Sequence, residues 1–441
     1  MAGSELEERQ RRLARLSKLG LRRGAQHVNA APEAPATESS LLPGVVVQTP
    51  FGQSWMREVR YPLRRHPELA GWLGAAPETL AALDRGDLLL DLVPSRAVFI
   101  DTETTGLGLG AGTYTFLIGI GQYEAEAVED GGADDPPAGD FVVRQFFMRH
   151  PGEELAQLYL VEEALLGAGG IVSFNGRGFD MPLVNNRFIL NGMTPPLIGA
   201  PHLDLLPPAR RLWRQRWGSC SLGNLERNVL GLQRSGEDVP GYLIPDIYRQ
   251  YYLTGVASEM LARVFYHNLQ DVVSMALLGA RMARHFARPS DDGFAGLDPL
   301  ECVSLARCYD GLGRVEISVR CYRAALERAS IADHQVLALR ELSLLFKRLG
   351  WRDKAAALWE EWVSTVSGED VTPYVELAKY HEWRTGDLAA ARGWAAWALR
   401  IAESSPSGLM RDEITGELRH RLARIERKLV GEPTPGEAEG L

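Results

Sequence analysis

At 441 residues, 45% hydrophobic and 24% charged, the chain has an ordinary globular composition and enough length for two or three domains with cores of their own. Its net charge of −9 excludes a molecule that attracts nucleic acid as a whole, so any polyanion site must be a local basic patch or be assisted by metal. No run approaches the roughly 18 apolar residues of a membrane span, and the N-terminal "MAGSELEERQRRLARLSKLGLRR" lacks the apolar core of a secretory signal; the chain reads as cytoplasmic, with no membrane partner.

Residues 1–50 read as a basic, linker-like, disordered tail. Leu13, Leu16 and Leu19 have the spacing of a short amphipathic helix, and "NAAPEAPATESSLLPG" has linker composition. Residues 51–290 are mixed α/β. "RAVFID", "YTFLIGIGQYE" and "GDFVVRQFFMR" predict three buried strands, the last two joined by the acidic, Gly/Pro-rich "AEAVEDGGADDPPAG". "EELAQLYLVEEALLGAGG" has helical spacing and ends in glycines, as helices do. "IVSFNG" predicts a strand, "MPLVNNRFILNG" a short helix opened by Pro182, and "PHLDLL" a candidate further strand. "SEMLARVFYHNLQDVVSMALLGARMARHF" predicts a long amphipathic helix. Three meandering strands, a helix and a strand is the order of the ribonuclease H-like fold, a mixed sheet covered by helices.

From 298 to 430 the strands stop and a repeat begins. The units "LARCYDGLGRVEISVRCYRAAL", "LSLLFKRLGWRDKAAALWEEWV" and "YVELAKYHEWRTGDLAAARGWAAWAL" carry turn glycines at Gly313, Gly350 and Gly386, 37 and 36 residues apart. Small and aromatic residues recur at matching offsets: Ser318, Tyr322 and Ala325, then Ala355, Trp359 and Trp362, then Ala391, Ala395 and Ala398. The spacing resembles the 34-residue helix-turn-helix unit of tetratricopeptide repeats, with the third unit one residue out of phase in its first helix. Such an array binds a protein partner in its groove or braces the neighbouring domain. Residues 431–441 read as a second disordered tail. Cys220, Cys302, Cys308 and Cys321 form no C-x-x-C pair and read as buried thiols.

Asp101 and Glu103, one residue apart at the end of an apolar strand, share a face. Burying two like charges together is costly unless something positive lies between them, and paired carboxylates suit a hard divalent cation; a solvated strand end is the bland alternative. In "VSFNGRGFDMPLV" the glycines flanking Arg177 let the chain turn before Asp180, which can cap a helix, bind metal, or do both. In "VFYHNLQDVV" Asp271 lies four residues after His267, on the same helical face.

That series, Asp-x-Glu, then Asp, then an aromatic or histidine followed by Asp, resembles the DEDD superfamily of 3′→5′ exonucleases, which have a ribonuclease H-like fold. The resemblance covers residues 95–285. "TGLGLGAGTYTFLIGIG", "FNGRGFDMPLV", "YHNLQDVVS", "CSLGNLERNVLGL" and "DVPGYLIPDIY" further look like a bacterial branch in which tetratricopeptide repeats follow the nuclease domain. It implies that Asp101, Glu103, Asp180 and Asp271 hold two Mg²⁺ or Mn²⁺ ions and that a phosphodiester is hydrolysed to nucleoside 5′-monophosphates. In the family a tyrosine stands four residues before the last aspartate, or a histidine five before; here His267 is four before and Tyr266 five before. His267 is the preferred base, by its helical face and because an imidazole suits proton transfer near neutrality, and Tyr266 the alternative.

"PPARRLWRQRWGSCSLGNLE" packs Arg210, Arg211, Arg214 and Arg216 around Trp213 and Trp217: a nucleic-acid patch, or a solvated helix face over two core tryptophans. Candidate substrate contacts are Thr102, Thr104 and Gly106 beside the first acids, Asn175 and Arg177 beside Asp180, and Arg211 and Arg214 in the patch. Asp204 reads as a turn or cap residue that could add a carboxylate. The expected partners are single-stranded DNA or RNA 3′ ends. A second reading, suggested by the exchanged Tyr–His pair, is a repeat-based adaptor that binds nucleic acid without cutting it.

Overall fold

In a computed structural model of the chain, the described residues are 42–84, 87–106, 108, 110, 112–125, 139–235, 238–287, 296–365, 370–404 and 409–430. The N-terminal residues up to 41, the acidic connection 126–138 and the tail from 431 lie outside them. The chain divides into two compact units, 1–288 and 289–441.

The first unit is built on a sheet of seven strands among the described residues: β1 Val45–Thr49, β2 Gly52–Pro62, β3 Ala97–Thr104, β4 Thr115–Ala125, β5 Gly139–Phe147, β6 Gly170–Ser173 and β7 His202–Asp204. Their order is β1-β2-β5-β4-β3-β6-β7. The run from β1 to β3 is antiparallel, and β6 and β7 join it in parallel. This is the mixed sheet expected from the meander and the later strand. β1 lies inside the stretch read as a tail, so the folded unit begins earlier than residue 51, with Leu42 already buried. β2 was not assigned to any element from the sequence. Its mixture of charged and aromatic residues hides a strand that pairs with β5 from Trp55↔Phe147 to Pro62↔Asp140.

Successive residues of the central strands enter cores on opposite sides of the sheet. Leu117 and Phe147 join Tyr248, Leu261 and Phe265 on one side, while Ile118 and Phe146 join Leu158, Val184 and Phe188 on the other. Helices cover both faces, which is why β3 is buried along nearly its whole length, its first four residues apolar. On the packed sides stand α1 Pro77–Asp84, α2 Glu154–Leu165, α3 Asp180–Leu190, α4 Leu206–Trp217, α5 Ile244–Thr254 and α6 Glu259–Ala287. Buried Arg187 of α3 donates to Glu154 of α2 at 2.7 Å, which fixes the helix that begins with Asp180.

The two glycines of "LIGIGQ" set the approach of α6. A Cβ on Gly119 would overlap the Asn268 amide, and one on Gly121 would lie 2.7 Å from Val272. Their missing side chains let α6 rest close on β4, which brings its residues 267–271 to the end of β3.

The second unit contains α7 Pro299–Gly311, α8 Val315–Arg328, α9 Ala332–Arg348, α10 Arg352–Thr365, α11 Thr372–Tyr380, α12 Leu388–Ser404 and α13 Leu409–Val430. Asp298 and Glu301 open α7 with reciprocal side-chain-to-backbone hydrogen bonds. The three glycines read as turns follow α7, α9 and α11, with φ of 71°, 77° and 74°, a conformation that favours glycine. All nine small and aromatic residues singled out for their recurrence are buried. A π turn at His381–Thr385 precedes Gly386, and its extra residue per turn accounts for the phase offset of the third unit. The four cysteines are buried thiols not joined to one another. Among the described residues, no helix is long and apolar enough to cross a membrane.

Candidate active site

Asp101 and Glu103 lie at the end of β3, on the side approached by α6. The Asn268 side-chain amide donates to the Asp101 carboxylate at 2.8 Å and to its main-chain oxygen at 3.2 Å. Gln145 of β5 fixes Asn268 in turn, donating to its side-chain oxygen at 2.8 Å and to the Phe265 carbonyl at 2.7 Å. Asp180 is the first residue of α3; it does not cap the helix, whose preceding residue is Phe179. Its carboxylate accepts instead from the Thr102 hydroxyl at 2.5 Å, bridging the helix to β3. Asp271 completes the group from α6, with His267 Nε2 3.7 Å from one of its oxygens.

The four acids feel one another. Burial, then repulsion from Asp271 and Asp180, holds Asp101 well above the usual carboxylate range. Burial and the charges of Asp101, Asp271 and Asp180 do the same to Glu103. Burial lifts Asp180 to about 6, with hydrogen bonds from Thr102 and the backbone opposing. Burial also raises Asp271, against the pull of His267 and Arg234. Carboxylates from three elements thus come close enough to raise one another's pKa.

Among the described residues, Arg234 is a cation that reaches them, from the connection between α4 and α5. Its guanidinium donates to Asp271 and to both oxygens of Glu226, at 2.6 and 2.7 Å. It also donates to Asp238 at 3.2 Å. Glu226 is only 2% exposed, so this pairing keeps its charge tolerable. Asp238 contacts His267 Nδ1 at 2.7 Å. Against the effect of burial, that bond and the His267 and Arg234 charges hold Asp238 below its ordinary pKa. Glu226, Arg234, Asp238, His267 and Asp271 line a cavity of about 550 Å³. The Tyr266 hydroxyl stands apart from this set and accepts from the Ser235 amide at 3.1 Å.

Among the described residues, no three His, Cys, Asp or Glu side chains stand as a preformed metal cage. The chemistry of the donor set nonetheless fits a hard cation: the four acids offer oxygen ligands only, their charges repel, and Asp271 already holds a guanidinium.

The candidate substrate contacts are placed differently from one another. Thr102 is spent on Asp180, and the Thr104 hydroxyl donates to the Gly106 carbonyl at 2.8 Å. A Cβ on Gly106 would meet nothing within 4 Å. Asn175 adopts a left-handed φ of 67° and donates its amide to Asp204 at 2.7 Å. Asp204 also accepts from the amides of Arg177 and Leu206, so it is a turn residue, as one of its two readings had it. Arg177 reaches back to both oxygens of Asp84 on α1, at 3.1 and 2.6 Å, and to the His202 carbonyl. Arg211 donates to the Leu83 carbonyl, whereas Arg214 is exposed. Trp213 is core, and Trp217 lies under Arg216, 4.3 Å from the ring centre.

Glu226, Arg234, Asp238, Asn268 and Gln145 were not singled out from the sequence. Asn268 had a usable signal, since it follows His267 in the same motif; in the structure it faces Gly119 of β4. The other four carry none: Glu226, Arg234 and Asp238 stand near one another in a stretch without period, and they meet Asp271 and His267, as Gln145 meets Asn268, only when distant stretches of chain fold together.

The family model described as RNase_H superfamily matches residues 98–283, a span holding the four acids, His267, Asn268 and the Arg234 connection. Membership of this superfamily suggests nuclease activity and nucleic-acid binding, and its nucleases generally use divalent metals. A protein of Bacillus subtilis (strain 168), "Uncharacterized protein YprB", is 30% identical over 382 residues, covering 85% of this chain and 86% of its own. With so much of both lengths aligned, the chain belongs to the same family as YprB and carries an RNase H-superfamily domain.

Proposed function

We propose that the chain is a metal-dependent 3′→5′ exonuclease of the DEDD type, acting on single-stranded ends of DNA or RNA. The observation that supports this reading is that Asp101, Glu103, Asp180 and Asp271 all have raised pKa values, the first two partly through the charges of the others. These four would hold two Mg²⁺ or Mn²⁺ ions, which when bound neutralise the phosphate's charge and favour ionisation of water. The protein's own part is to orient and to move a proton. Asn268 and Thr102 hold two of the carboxylates in fixed rotamers. His267 takes the proton of the attacking water through Nε2, the nitrogen on the Asp271 side. The new P–O bond forms to that water, the bond from phosphorus to the 3′ oxygen breaks, and the proton ends on the departing hydroxyl. The polarity and the nucleoside 5′-monophosphate product follow from the DEDD resemblance. Residues 51–290 are the exonuclease domain in this reading, and 298–430 are tetratricopeptide-like repeats that bind a protein partner or brace the fold.

The Arg234–Asp271 ion pair favours a second reading, in which the domain binds nucleic acid without cutting it. One gel separates the two. Single- and double-stranded DNA and RNA labelled at the 5′ end are incubated with Mn²⁺ or EDTA, using native protein and Asp271→Ala. A ladder shortening from the 3′ end, abolished by EDTA and by the substitution, supports the exonuclease. Internal cuts would make it an endonuclease, and no cleavage of any substrate would leave the binding adaptor.

A further inference from the structure

We propose that Asp238 is a positioning residue that fixes which ring nitrogen of His267 carries the proton. The inference rests on the reading of His267 as the base. Asp238 and His267 are 29 residues apart in sequence, yet Asp238 Oδ1 lies 2.7 Å from His267 Nδ1. A carboxylate only accepts, so at this distance Nδ1 must carry the hydrogen. The neutral ring then keeps its lone pair on Nε2, which lies toward Asp271.

Arg234 makes this assignment more than a packing detail. Its Nη1 is 3.2 Å from the same His267 Nδ1 and 3.2 Å from the second Asp238 oxygen. A guanidinium only donates. With Asp238 in place, Arg234 gives its hydrogen to the carboxylate and Nδ1 gives its own to Oδ1. Without Asp238, the guanidinium, still anchored on Glu226, faces Nδ1 alone. The ring then lowers its energy by turning a lone pair on Nδ1 toward Arg234 and moving the hydrogen to Nε2. A His267 in that tautomer points a donor, not an acceptor, at the cleft and cannot receive a proton there. The order Glu226, Arg234, Asp238, His267 therefore works as a relay of orientation, each residue setting the next.

The test reads the ring directly. Full-length protein labelled with ¹⁵N in its histidine rings is examined by NMR in EDTA at alkaline pH, and the His267 resonances are identified by their absence in His267→Gln. The expected result is a hydrogen on Nδ1 and a lone pair on Nε2 in the native protein. Asp238→Ala should move the hydrogen to Nε2, and Asp238→Asn, whose side-chain oxygen still accepts, should leave it on Nδ1. A native ring with its hydrogen on Nε2, or on both nitrogens, overturns the proposal, as does an unchanged tautomer in Asp238→Ala. Should Asp238→Ala not fold, native protein and Asp238→Asn must both show Nδ1–H. In cleavage assays Asp238→Ala should lower kcat about 10- to 100-fold with little change in KM, and Asp238→Asn should recover most of it. A native protein that cleaves nothing would end the exonuclease reading, while the ring spectra would still decide the role of Asp238.

Discussion

Asn268 of α6 holds Asp101 of β3 by two hydrogen bonds from one amide, to the carboxylate at 2.8 Å and to the main-chain oxygen at 3.2 Å. The longest helix of the first unit is thereby pinned to the strand that carries the first two acids. Asn268→Ala takes away one of the two acceptors of the Gln145 amide, leaving it the Phe265 carbonyl, and frees Asp101. The substitution should cost about 1–3 kcal/mol in chemical unfolding and lower cleavage by about 10- to 100-fold. A variant as stable and as active as native protein would show that Asn268 is incidental.

Gly119 controls the same approach from the sheet. Gly119→Ala places a methyl group where the Asn268 amide stands, so helix and strand must part or the amide must turn. The expected loss is about 1–3 kcal/mol, the usual cost of overpacking, together with weakened cleavage. A control substitution, Gly106→Ala, meets nothing within 4 Å and should leave stability near the native value.

Arg234 compensates the cleft when no metal is supplied. Removing it in Arg234→Ala leaves Glu226 and Asp271 without their shared partner, and breaking a buried pair in this way costs about 3–5 kcal/mol. In EDTA the variant should melt well below native protein, and Mn²⁺ should raise its melting temperature more than it raises that of the native chain. Equal melting in EDTA would mean that the pair does not matter to the metal-free fold.

The raised carboxylates give a pH dependence whose sign is definite. A carboxyl with a higher pKa in the folded state binds its proton more tightly there, so its ionisation weakens the fold. For Asp180 the loss begins near the unfolded value of about 4 and is complete above the folded value of about 6. Asp101 and Glu103 extend it to higher pH. Two histidines act oppositely: burial, with Arg177 nearby, lowers His202 to about 4, and burial with Arg281 and Arg284 lowers His285 to about 3. Both weaken the fold as pH falls below about 6.5. Comparing native protein with Asp180→Asn cancels the histidine contribution. In EDTA the variant should gain stability relative to native protein as pH rises from 4 to 7, and Mn²⁺ should reverse that advantage. A difference that does not change with pH would contradict the assignment.

What could be read from the chain were the parts with a local period. The apolar run ending in Asp101 and Glu103, the turn before Asp180 and the helical spacing of His267 and Asp271 each carry their own pattern, and the sheet brings them together. The β1–β2 hairpin lacks such a pattern. Arg177 illustrates the opposite error: flanked by glycines beside an acid, it looks like a phosphate ligand, yet it is paired with Asp84, 93 residues earlier in the chain. Arg234 sits in an aperiodic connection, and its carboxylate partners lie 8 residues before it and 4 and 37 after it. No window of sequence contains that arrangement. Tyr266 and His267 are placed differently: the hydroxyl accepts from the Ser235 amide, while the imidazole is turned to the acid four residues on.

Glu382, in the π turn before Gly386, has its side chain fully enclosed and is met by Arg421, Arg424 and Lys428 of α13, at 3.3, 2.8 and 2.9 Å. The last helix is accordingly no appendage to the helices before it but their counter-charge. Shortened versions of the protein that stop after α12 would strand an anion in the turn between α11 and α12, so a usable C-terminal boundary falls beyond Lys428.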